Sequence, residues 1–178
     1  MTVAEAVHTS WKRYGLPEQL PPCDLRSLVD LLADSVRQYP NNPAVTSLGG
    51  TLSFAELDRL STAFACYMQQ YTQLQPGDRI AIQMPSLSQY LVVAYGAFKA
   101  GLVVVNVNPM YTAVELEYQF NHADVKAVVV FDKFLAHAQE VQDKTPLQTV
   151  IVTGPFDLHP PVKRAAMSLL LKLLGKSF

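Results

Sequence analysis

The chain has 178 residues, 49% of them hydrophobic, and 14 Lys and Arg against 15 Asp and Glu leave a formal net charge of -1. Disorder needs low hydrophobicity with high net charge, and a nucleic-acid binder shows a basic surplus, so composition speaks against both. A chain of this length buries about 70% of its unfolded surface, enough for one domain with an apolar core. The two cysteines, Cys23 and Cys66, form neither a disulfide framework nor a metal-ligating pair, which predicts a reducing, cytoplasmic setting.

Residues 1–22 contain Trp11, Tyr14 and the prolines Pro17, Pro21 and Pro22, whose backbone restrictions predict an extended arm. An acid at Glu5 and the lack of an apolar run argue against a secretory signal there. Residues 23–157 follow as an α/β unit. Leu25, Leu28, Val29, Leu32, Val36 and Tyr39 recur at three- and four-residue spacing, one face of a helix behind Asp24 as N-cap and stopped by Pro40 and Pro43. Next, Ala44 to Leu48 and Thr51 to Phe54 flank Gly49-Gly50, which reads as a two-residue hairpin turn. A phosphate-cradling role for this glycine pair is disfavoured, because no lysine with Ser or Thr follows it.

Three helix starts share a capping-box pattern, a hydroxyl followed three residues later by an acid or amide: Ser53 with Glu56, Ser86 with Gln89, and Thr112 with Glu115. The middle helix, Leu87 to Lys99, is apolar almost all round and is expected to be buried. The uncharged stretch from Ile80 to Phe98 is broken by Pro85, Ser86, Ser88 and Gln89, so it is not read as a membrane span. Apolar runs at Arg79 to Met84, Leu102 to Val107, Ala127 to Phe131 and Thr149 to Thr153 alternate with helices, the last of them about Lys133 to Gln142. Such runs predict an α/β fold with a Rossmann-like, mostly parallel sheet covered by helices on both faces, plus the small hairpin and the arm.

No glycine-rich nucleotide fingerprint follows any strand. Gly175-Lys176-Ser177 lacks the upstream glycine of a phosphate loop, since Leu170 stands at that position. His8, His122, His137 and His159 show no metal or general-base spacing and are assigned to surface or capping roles. Ser27, Ser86 and Ser88 lack a glycine-flanked nucleophile elbow, and Cys66 falls within a helix pattern.

Charge divides the chain. All 15 acids and 10 of the bases lie in residues 1–157, a net of -5, whereas residues 158–178 hold Lys163, Arg164, Lys172 and Lys176 with no acid. As a helix this tail gathers Val162, Ala165, Ala166, Leu169, Leu170 and Leu173 on one side. Two readings stand for it. One is a helix lying on an anionic membrane through those four cations; the other is a helix covered by protein, favoured by the wide apolar sector that Lys163 interrupts.

Several strings go beyond fold class: Thr51-Leu52-Ser53-Phe54-Ala55-Glu56-Leu57, Leu74-Gln75-Pro76-Gly77-Asp78-Arg79-Ile80-Ala81, Met84-Pro85-Ser86, and Lys99-Ala100-Gly101 leading into Asn106-Val107-Asn108-Pro109-Met110-Tyr111-Thr112. Across nearly its whole length the chain resembles the adenylate-forming ligases, most of all bacterial long-chain fatty-acid–CoA ligases. The resemblance implies ATP, Mg2+ and coenzyme A as cofactors and co-substrates of a full-length enzyme that joins a fatty acid to CoA through an acyl-adenylate. It also implies that the phosphate loop, the nucleotide contacts and the catalytic lysine lie later in the family's chain. No catalytic, cofactor-binding or metal residue is therefore assigned among these 178. The expected partners are those substrates, a second copy through the arm, and the inner face of the membrane, with no nucleic acid.

Overall fold

The computed structural model describes residues 2–15, 17, 22 and 24–173. Residues 3–13, expected within an extended arm, instead form helix α1 (Val3–Arg13). A capping box starts it: Thr2 Oγ1 accepts the Glu5 N–H at 3.2 Å, and the Glu5 carboxylate accepts the Thr2 N–H at 2.7 Å. All three prolines of this region lie beyond Arg13, so their restrictions apply only after the helix.

Helix α2 (Leu28–Gln38) starts behind Ser27, whose Oγ accepts the Asp30 N–H at 3.1 Å; Asp24 is not its cap. Strands β1 (Pro43–Ser47) and β2 (Gly50–Ser53) form the antiparallel hairpin. Because Ser47 pairs with Gly50, the turn residues are Leu48 and Gly49, at φ 47° and 69°, one position earlier than the Gly-Gly pattern suggested. Tight hairpin turns of this hand need positive φ at both central residues. Gly50 serves another purpose: a Cβ there would sit 3.0 Å from His159 Nε2.

Helix α3 (Phe54–Tyr71) leads to the main sheet, built from β3 (Arg79–Gln83), β4 (Val103–Asn106), β5 (Val125–Phe131) and β6 (Thr149–Thr153). Its order is β4-β3-β5-β6 and every pairing is parallel, as the unbroken Val and Ile runs predicted. Three helices make the crossovers: α4 (Ser88–Lys99), α5 (Ala113–His122) and α6 (Leu135–Val141). Residues along β3 and β5 alternate between the faces. Ile80, Ile82, Ala127 and Val129 join Met68 of α3 and Ala97 of α4, while Ala81, Val128 and Val130 join Leu116 and Phe120 of α5 and Val141 of α6. A third cluster unites Leu32, Leu52, Leu57 and Val92, fastening α2 and the hairpin to α3 and α4.

The cap of α4 differs from its sequence pattern. Ser86 caps nothing: the helix starts at Ser88, behind Leu87, and the Ser88 N–H donates 3.0 Å to Ser47 Oγ of the hairpin. Gln89 does not reach back either; its Nε2 donates 2.8 Å to Gly154 O beyond β6. Helix α4 is buried as expected, and Gly96 brings it close against α3, where a Cβ would meet Ser61 O at 2.8 Å. Lys99 Nζ strengthens this contact through Asp58 Oδ1 at 2.7 Å, Ser61 Oγ at 2.8 Å and Thr62 Oγ1 at 2.9 Å. Gly101, at φ 78°, then turns the chain into β4.

At the amino end of the sheet, the Asp78 carboxylate accepts the Gln75 N–H and the Lys126 ammonium, both at 2.7 Å. The backbone N–H first, and the ammonium after it, hold Asp78 below the usual carboxylate range, and Asp78 raises Lys126 in return.

Gly96→Ala should destabilise the chain by about 2 kcal/mol in urea unfolding, because overpacking against a fixed backbone outweighs the gain in helix propensity. Asp78 contributes stability that is present above about pH 4 and lost as pH falls through its depressed folded value. Lys126 contributes stability that is present below about pH 10 and lost as pH rises through its raised value. Melting temperatures across pH should therefore show a smaller acid-limb drop for Asp78→Asn than for the unaltered chain.

Candidate functional site

The chain leaves β3 for β4 on one side, then returns across β3 to reach β5 on the other. In such sheets, ligands settle outside the carboxyl ends of the strands at this switch point. The segments meeting there are 84–87 after β3, 107–112 after β4 and Asp132 after β5.

Side chains from β3, α4, α5 and α6 hold the end of β4 and the loop after it. Gln83, fully buried at the end of β3, donates from Nε2 to Pro109 O at 3.4 Å. Gln119 of α5 donates to Asn106 O at 3.1 Å, and the Tyr90 hydroxyl of α4 donates to Asn106 Oδ1 at 2.9 Å. Asn108 Oδ1 accepts the Met110 N–H at 3.0 Å, and His137 Nδ1 lies 3.1 Å from Tyr111 O. The side-chain oxygens of Gln83 and Gln119 are buried without a hydrogen-bond partner.

Two hollows flank this region. An apolar crevice of about 320 Å³ is bounded by Val45, Met84, Pro85, Leu87, Tyr90 and Leu91. A more polar cavity of about 480 Å³ lies between the hairpin, the start of α4 and the connection after β6, with Ser47, Glu56, Gln89, His159 and Lys163 on its walls. Glu56 is already committed: the Ser53 N–H and hydroxyl hold its carboxyl below the usual range, and Glu115 is held the same way by Thr112. These acids are helix caps rather than proton carriers.

The arrangement suits shaping and support. Among the described residues no group of three or more His, Cys, Asp or Glu side chains could hold a metal ion. At the strand ends Gln83 and Gln119 spend their amide nitrogens on Pro109 O and Asn106 O, and their side-chain oxygens stay without a partner. No chemical step is assigned to these residues.

Two of the four tail cations, Lys163 and Arg164, have described side chains. Lys163 Nζ donates to Gly49 O at 2.7 Å, and an Arg164 guanidinium nitrogen lies 3.9 Å from the Asp157 carboxylate, so both turn toward the body. Lys172 lies in α7 (Pro161–Leu173) with its side chain outside the described residues, and Lys176 is wholly outside them. His159, expected in a generic surface or capping role, is placed against the hairpin turn; the sequence signal was Gly50, a glycine just past the turn whose missing Cβ leaves room for the ring.

A family model described as AMP-binding enzyme matches residues 32–168, from within α2 into α7. The chain belongs to the AMP-binding enzyme family. Among relatives of this AMP-binding chain, a long-chain-fatty-acid–CoA ligase of Escherichia coli O6:H1 is 39% identical over 161 residues, covering 90% of this chain and 29% of that protein. A 2,3-dihydroxybenzoate-AMP ligase of Bacillus subtilis is 27% identical over 140 residues, covering 75% of this chain and 26% of its own length. The crystal structure of a long-chain-fatty-acid-CoA ligase from Archaeoglobus fulgidus superposes with a TM-score of 0.69 at 20% identity, over 76% of this chain and 28% of that one, which shows the shared fold. This member of the AMP-binding family thus spans less than a third of the length of the curated relatives it matches.

Proposed function

We propose that the chain is the N-terminal scaffold portion of an AMP-forming long-chain fatty-acid–CoA ligase. In the whole enzyme, fatty acid, ATP and CoA give acyl-CoA, AMP and pyrophosphate by way of an acyl-adenylate, with Mg2+ accompanying ATP. The observation that carries this reading is the 39% identity to a named long-chain-fatty-acid–CoA ligase over 90% of the chain. The site geometry agrees with a supporting role, since the polar groups at the strand ends position the loop after β4 and the crevice beside them is apolar. A related ligase acting on a different carboxylic acid is the alternative, supported by the match to a 2,3-dihydroxybenzoate-AMP ligase.

A second reading concerns α7, where Val162, Leu169 and Leu170 are 83%, 59% and 56% exposed. A basic helix with bare leucines suits the anionic inner face of the membrane. Self-association through the N-terminal segment fits the exposed Val7, Trp11 and Tyr14 of that region.

The chain alone should support no fatty-acid-dependent ATP–pyrophosphate exchange, whereas a polypeptide continued through the downstream coding sequence should recover it; exchange by the 178 residues alone would overturn the scaffold reading. Co-sedimentation with phosphatidylserine vesicles should fall when Lys172 and Lys176 are both changed to Glu. Equal pelleting of both proteins would sink the membrane reading.

A further inference from the structure

We infer that His159 and Lys163, closing on the Leu48–Gly49 turn, form a latch that sets the direction of α7 relative to the hairpin. Two consecutive turn carbonyls are engaged from the far end of the chain. Leu48 O accepts from His159 Nε2 at 3.2 Å, which places the ring hydrogen on Nε2, and Gly49 O accepts from Lys163 Nζ at 2.7 Å. The two donors are four residues apart, His159 just before α7 and Lys163 in its first turn.

The turn is shaped for this contact. Leu48 and Gly49 both hold positive φ, and Gly50 leaves the space that the imidazole fills, since a Cβ would lie 3.0 Å from Nε2. From behind, the Phe156 ring meets His159 edge-on at 5.7 Å. Asp157 steadies the connection by accepting the Gly154 N–H at 2.6 Å and the Thr153 hydroxyl at 3.2 Å, with Arg164 of α7 3.9 Å away. Further along the helix Ala165, Ala166, Leu169 and Leu170 are exposed and Met167 is half-buried. The named polar ties to the hairpin thus gather at the start of α7, where they set its direction. Neither the adenylation reading nor the membrane reading requires it.

Amide hydrogen exchange on the full chain tests the latch, comparing Lys163→Met, Gly50→Ala and the double variant. Each single change should speed exchange across residues 155–166 at least tenfold while β3 and β5 stay protected. The double change should add little, because both substitutions open the same contact. Gly50→Ala alters no charge and acts from the hairpin side, so it decides the case if Lys163→Met also loosens the sheet. Exchange in 155–166 that stays at the unaltered rate in Gly50→Ala would overturn the latch. So would loosening of the sheet in both single variants, or multiplied effects in the double variant.

Discussion

Strand β3 is enclosed on every side, and the arrangement of the rest depends on that enclosure. It pairs with β4 on one edge and β5 on the other, so its backbone groups are satisfied within the sheet. Its side chains supply both layers, with Ile80 and Ile82 turned to α3 and α4 and Ala81 turned to α5. A one-residue slip would exchange the two layers, which fixes the register and with it the position of each crossover helix.

The same enclosure shapes the carboxyl end of the sheet. Gln83 continues β3 into the core and donates to the loop after β4, while Gln119 and Tyr90 hold Asn106 at the end of that strand from two helices. Hydrogen-bonding capacity that could meet a ligand is thereby used to shape a loop. The orphaned amide oxygens mark the limit of that satisfaction, as acceptors with no donor within reach. In this member of the AMP-binding family, the switch point offers a formed loop and an apolar wall.

The hairpin links this sheet layer to α7. Ser47 caps α4, Leu52 packs with Leu32, Leu57 and Val92, and the turn carbonyls receive His159 and Lys163. Two of the cations that composition marks as a membrane signature, Lys163 and Arg164, thus reach toward the body, while Leu169 and Leu170 after them are exposed.

Much of the fold was legible because its causes are local. Capping boxes at Ser53 and Thr112, unbroken Val and Ile strands, and glycine at Gly101 each act within a few residues, so spacing alone reveals them. The Thr2 and Glu5 box was equally local but was overshadowed by prolines that act only after Arg13. The candidate site was far less legible. Ser47 reaches Ser88 across 41 residues, Gln89 reaches Gly154 across 65, and Lys163 reaches Gly49 across 114. The amino-acid sequence by itself determined the elements, the parallel sheet and the family resemblance, through periodicity and short strings. Only the tertiary structure decided which hydroxyl caps α4, which two residues make the hairpin turn and where Lys163 and Arg164 point, because those outcomes depend on groups made neighbours by packing.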